Sequence, residues 1–209
     1  MAETARLAES LELPLRERNG LLLAAGYAPA YPQTSLEDPA LAPVRDALRH
    51  ILDAHRPYPA IVVDSRGGLV AANDGFAILA EGAAAELTGP DANVYRLALH
   101  PRGMAPRIAN FPEWARHVLE GLRRELARNP DDELEGLLAE LEAYVPERPP
   151  PPGHLGFAVP LRLRTAAGEL RLMTTITTFA TAVDVTISEL RLEAFLPVDQ
   201  ATAALLAAG

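Results

Sequence analysis

The side chains able to do chemistry are few. The 209-residue chain has no cysteine, which excludes disulfides, thiolate nucleophiles and cysteine-based zinc sites. Its five histidines, His50, His55, His100, His117 and His154, show neither a His-x-x-x-His pair nor a glutamate-bearing metal spacing. No Gly-x-Ser-x-Gly elbow, phosphate loop or dinucleotide fingerprint occurs. Glu133, Glu135, Glu140 and Glu142 have the spacing of a solvated helix face rather than of an acid–base pair. The expectation is a protein that is not an enzyme and holds neither metal nor cofactor. One stretch still gathers polar groups: His100-Pro-Arg-Gly-Met-Ala-Pro-Arg-Ile-Ala-Asn110, a loop by its glycine and proline content. Within it Arg107 offers a planar fork of donors that fits a carboxylate, and it could equally pair with an acidic side chain of the fold.

The elements around that loop follow from spacing. Residues 3–11 predict a helix, and a second begins after Pro14, with Leu15, Leu22 and Leu23 in helical spacing up to Gly26 as C-cap. Three prolines between residues 27 and 39 mark a linker. Asp38 and Pro39 open a helix whose apolar face holds Leu41, Val44, Leu48, Ile51, Leu52 and His55. Ala60 to Asp64 and Leu69 to Asn73 flank a glycine turn and predict a hairpin. One short helix and a loop are expected over 74–92, and a helix over 93–100. Two amphipathic helices then carry Trp114, Val118, Leu122, Leu126 and Leu134, Leu137, Leu138, Leu141.

Pro146 to Pro152 is a connector without core-forming side chains. The last third predicts strands over 159–164, 169–179 and 184–196, the third with a phase slip near Ser188-Glu189 that calls for a bulge or short turn. A C-terminal helix covers 199–208. The fold class is α+β: an antiparallel sheet of about five strands with packed helices.

Composition narrows the partners. All nineteen basic residues other than histidine are arginine, and the net charge is −9. A DNA-gripping chain clusters positive charge instead, so this chain alone is a poor DNA binder. There is no apolar run of the ~20 residues a membrane span needs. The start, Met1 to Arg6, lacks the pattern of a secretory signal, so the expected compartment is the cytoplasm.

Four strings resemble one family. Leu13-Pro-Leu-Arg-Glu-Arg-Asn-Gly-Leu-Leu-Leu-Ala-Ala-Gly-Tyr-Ala-Pro29 resembles the tail of the helix-turn-helix domain in XRE-type regulators with an MmyB-like sensor. Pro57 to Asp64 with Leu69 to Asn73 resembles that sensor's first hairpin, except that Gly67-Gly68 stands where the family often has an aromatic residue. Asn93 to Gly103, Ala105 to Asn110 and Trp114 resemble its middle. Thr177 to Thr181, Asp184 to Leu190 and Phe195-Leu-Pro197 resemble its last strands.

The resemblance implies a division into a helix-turn-helix remnant at 1–26, a linker at 27–38 and a PAS-like ligand-binding domain at 39–209. It implies that DNA is read only by a fuller helix-turn-helix domain, whose reading helix lies ahead of the segment matching Arg6 to Leu13. It implies a hydrophobic small-molecule ligand of fatty-acid type and a homodimer. An alternative is a ligand-free dimerisation module. On the first reading the ligand's carboxylate meets Arg107, assisted by His100 and Asn110. Met104, Phe111, Trp114, Met173, Ile176 and Phe179 line its tail. Trp114 on an apolar helix face serves core packing as readily. The helix over 39–55, directly after the linker, is the expected route from ligand to residues 1–26.

Overall fold

The computed structural model describes residues 13–146, 159–179 and 181–208. The helix expected over 3–11 and residues 147–152 of the proline-rich connector lie outside the described residues.

Helix α1 spans Leu15–Ala24. Gly26 closes it in the left-handed region at φ 80, with Tyr27 N donating back to the Leu22 carbonyl at 2.9 Å. Residues 27–38 form neither helix nor strand. Asp38 then accepts from Ala40 N at 2.8 Å, and a tight turn over Pro39–Leu41 leads into α2, Ala42–Ala54. Pro43 falls in the first turn of α2, where no intrahelical partner for its missing N–H is required.

The strands are β1, Ala60–Val63; β2, Leu69–Ala72; β3, Leu161–Thr165; β4, Gly168–Thr178; and β5, Arg191–Pro197. They form one antiparallel sheet in the order β2-β1-β5-β4-β3. The central strand β5 reads Arg191, Glu193 and Phe195 on one face and Leu192, Ala194 and Leu196 on the other, because strand side chains alternate.

Each face is covered. Leu48 and Leu52 of α2 pack on Ala60, Val62, Leu190, Leu192 and Ala194. The opposite face carries the larger core, in which Ile61, Leu161, Leu163, Leu170, Leu172 and Phe195 meet four further helices. These are α3, Phe76–Ala80; α4, Val94–Leu99; α5, Phe111–Arg128; and α6, Asp132–Glu142. Trp114, Leu119 and Leu122 come from α5, and Leu134, Leu137 and Leu141 from α6. Asp131 caps α6 by accepting from Leu134 N at 2.9 Å. Helix α8, Gln200–Ala208, packs on β4 and β5, where Thr202 Oγ1 accepts from Arg171 N.

The layers are stitched by Asn73. It is 5% exposed, accepts from Ala60 N at 3.0 Å, and donates to the Leu52 and Tyr58 carbonyls. One buried side chain thus ties the end of α2 to both strands of the hairpin, and all its hydrogen-bonding capacity in reach is used.

The expected strand over 184–196 is divided. Asp184 accepts from Thr186 N at 2.9 Å and caps a helical turn, α7, Val185–Ser188. Val185 N is taken by the Pro32 carbonyl of the linker at 2.8 Å, so it is not free to pair in the sheet. Of the two expected causes of the phase slip near Ser188-Glu189, the short turn is the one present: a turn of helix before β5, and not a bulge within one strand.

Candidate functional site

A cavity of about 560 Å³ opens between α5 and the sheet face bearing Arg191, Glu193 and Phe195. Ile61, Phe76, Leu79, Leu97, Trp114 and Leu122 are among its apolar walls. It is open at the end of β4, where Ile176 is 60% exposed. Arg124 and Arg128 of α5 are exposed lining residues on the same rim as Glu125 and His117.

Local backbone chemistry sets several of these walls. Asn93 caps α4 by accepting from Tyr95 N and Arg96 N, which points the short helix's Leu97 inward. Gly103 then turns the chain. A Cβ there would lie 2.1 Å from the Leu97 carbonyl oxygen, so only glycine fits. That turn lets Met104 N donate to the Leu97 carbonyl at 2.8 Å and buries the Met104 side chain in the cavity wall.

The nine residues expected to bind ligand divide into two sets. Met104, Trp114, Met173 and Ile176 line the cavity. Trp114 belongs to the core as well, at 7% exposure. The other five are not among its lining residues. Phe111 packs against the large core and Phe179 against the α2 side of the sheet. Asn110 joins α5 to β3, donating to the Pro160 carbonyl at 2.9 Å and accepting from Arg162 N at 3.1 Å. His100 Nδ1 accepts from Arg102 N at 3.0 Å, and its ring meets Tyr144 edge-on at 4.9 Å.

Arg107 is turned to a structural use. Its guanidinium donates to the Ile78 carbonyl at 3.1 Å, to the Leu79 carbonyl, and to Glu81 at 3.3 Å. These are the carbonyls at the end of α3, which a cation satisfies well. Burial lowers its pKa, opposed by Glu81. Both Nη groups are thus spent on the fold, while the buried Nε has no hydrogen-bond partner among the described residues; the pairing with an acidic residue is the alternative the sequence left open.

A cation on the sheet side of the cavity is Arg191. Its Nη2 donates to the Asp64 and Ser65 carbonyls and to Tyr95 Oη at 3.3–3.4 Å, and its buried Nε has no partner among the described residues. Tyr95 lies over the hairpin turn, where a Cβ on Gly67 would come within 2.4 Å of its ring. The glycine at that turn is therefore matched by an aromatic side chain delivered from α4. Glu193 lines the same wall. Burial pushes its carboxyl up from the usual range, and Arg191 pulls it back. Burial also raises Tyr95, so its phenol stays neutral as a hydrogen-bonding group.

Spacing does not single out Arg191 and Glu193 while a strand is expected from 184, nor Tyr95, which lies on the short helix α4. Once the helical turn fixes the phase, two charged residues fall on the core-facing parity of a central strand. That is the signal a functional wall leaves in sequence. The described residues hold no group of three or more metal-ligating side chains, and no helix among them is long and apolar enough to cross a membrane.

An antiparallel sheet whose covering helices leave an apolar cavity with a charged wall defines a small-molecule-binding α+β domain. The model of the MmyB-like transcription regulator ligand binding domain matches residues 44–208, and the chain belongs to that family. It is therefore the ligand-binding domain of a transcription regulator. No curated protein matches the chain.

Proposed function

We propose that the domain senses a hydrophobic small molecule of fatty-acid type and passes its occupancy to an XRE-type helix-turn-helix domain of the same regulator. The cavity carries this reading. Its volume of about 560 Å³ falls in the ~300–1,000 Å³ of ligand pockets. Its walls suit an alkyl chain, and Arg191 supplies a polar end. The strand order β2-β1-β5-β4-β3, with α3 to α6 over the face that bears the cavity, supports a PAS-like sensor.

Beside the route through α2, which packs on Leu190, Leu192 and Ala194, a second route for the signal runs through residues 27–38. Arg16 of α1 pairs with Glu189 at 2.7 Å, Thr34 N donates to Asp184 at 3.1 Å, and Val185 N donates to Pro32. Glu189 is two residues from Arg191. A ligand that moves the cavity-facing start of β5 acts directly on the segment that holds α1. Ligand-dependent changes in hydrogen exchange at 184–189 and in α1 are expected, and identical patterns with and without ligand would break the link.

The primary test is extraction. Protein made in a heterologous host and extracted with organic solvent should release a fatty acid or similar lipid in near-stoichiometric amount. Protein that is empty, and that no alkyl-chain compound stabilises thermally, would leave a homodimerising module that binds nothing small.

A further inference from the structure

Glu193 places a carboxyl group on the wall of a cavity that is read here as receiving an acid. It shares a face of β5 with Arg191 and Phe195. Its register partners are both apolar, Ile61 on β1 and Ile176 on β4. Its only attractive influence among the described residues is the charge of Arg191, with no hydrogen bond donated to it. Arg191 in turn keeps Nε unspent and makes only long contacts through Nη2.

We propose that Arg191 and Glu193 together read the ligand's head group. They admit a head that presents a hydrogen-bond donor beside an acceptor, such as a protonated carboxylic acid or a primary carboxamide, and take a carboxylate only with uptake of one proton. This rests on the cavity being a lipid-type pocket and specifies the polar end of what enters it.

The argument is one of charge. Arg191 and an ionised Glu193 sum to zero. A carboxylate beside them leaves one negative charge uncompensated among apolar walls, which is costly. A proton from solvent, on either carboxyl, restores the balance. A carboxamide needs none: its N–H donates to Glu193 and its carbonyl accepts from Arg191. The other ionisable groups lining the cavity are Tyr95 from α4 and His117, Arg124, Glu125 and Arg128 from α5. Arg124 and Arg128 are exposed, so water and salt screen them, and Glu125 adds negative charge.

The test uses the whole chain and displacement of a neutral fluorescent probe, N-phenyl-1-naphthylamine, by decanoic acid or decanamide at pH 6 and pH 8. Decanoic acid is ionised in water at both. Decanamide should bind equally at the two pH values, and decanoic acid about tenfold or more weakly at pH 8. Glu193→Gln should restore decanoic acid binding at pH 8 by about tenfold or more and flatten its pH dependence. Wild-type binding of the acid that ignores pH overturns the proposal, and this comparison stands even if the variant fails to fold. A pH dependence that persists in folded Glu193→Gln overturns it too. If neither compound displaces the probe, the lipid pocket itself fails and this inference with it. If both bind alike at both pH values, only the head-group assignment falls.

Discussion

Removing the Arg107 guanidinium distinguishes a structural clamp from a ligand contact. In Arg107→Ala the carbonyls of Ile78 and Leu79 lose their donor at the end of α3, and Glu81 loses its partner. Hydrogen bonds to a charged group contribute about 1.5–3 kcal/mol each. The Arg107 side chain is 20% exposed, so water replaces part of what is lost, and Glu81, at 52%, forfeits little. The net cost is about 3 kcal/mol. For a chain of this size that lowers the melting temperature by about 6–12 °C. Urea and thermal unfolding measure the loss. Fluorescence displacement by decanoic acid, run well below the transition, measures ligand affinity, which should stay within about twofold of wild type because Arg107 does not line the cavity. An Arg107→Lys variant keeps the charge without the two-pronged fork and should recover part of the stability. A variant that unfolds like wild type but loses affinity for the acid would refute the reasoning and return Arg107 to the ligand.

The remaining expectations concern the cavity, the seam between layers, the linker and acid titration. Val118→Trp on α5 should fill the cavity, weakening alkyl-chain binding by about tenfold or more, roughly 1.4 kcal/mol, with little change in melting temperature; isothermal titration and thermal melts check both. Asn73→Ala leaves Ala60 N and the Tyr58 carbonyl without their partner, while the Leu52 carbonyl keeps His55 N, and should cost about 3 kcal/mol in urea unfolding. Asp184→Ala removes the cap of α7 and the partner of Thr34 N. It should cost about 1 kcal/mol and speed hydrogen exchange at 34 and at 185–187. On pH, Arg96 lowers the folded pKa of Glu140, so its stabilisation is present above the unfolded value and lost as pH falls through the folded one. Glu193 has the opposite sign: its folded pKa is raised, so its contribution is present below the unfolded value and lost as pH rises through the folded one. Melting curves across pH should show Glu193→Gln gaining on wild type toward neutral pH, and an unchanged difference would contradict the burial of that carboxyl.

Much of the architecture was legible from spacing alone, because the signals were local. Pro14 and Gly26 bound α1, Asp38 and Pro39 open the turn that leads into α2, and Trp114 to Leu126 keeps helical period over about three turns and Leu134 to Leu141 over about two. Alternation along β4 marks a strand. Four of the nine residues expected at the ligand, Met104, Trp114, Met173 and Ile176, do line the cavity, since large apolar side chains on core-facing positions are where a hollow must be walled.

What sequence alone could not assign was the use of each polar group. Arg107, His100 and Asn110 sit together in one loop, but a loop does not reveal which way its side chains turn. The structure spends Arg107 on helix carbonyls and Asn110 on β3. The wall charges came instead from β5, whose phase depends on a helical turn held by a linker carbonyl some 150 residues away in the chain. Periodicity records which residues seek the interior, because burial of apolar surface acts position by position. The pairing of donors with acceptors is decided by contacts between distant segments, and those exist only once the sheet has closed on its helices.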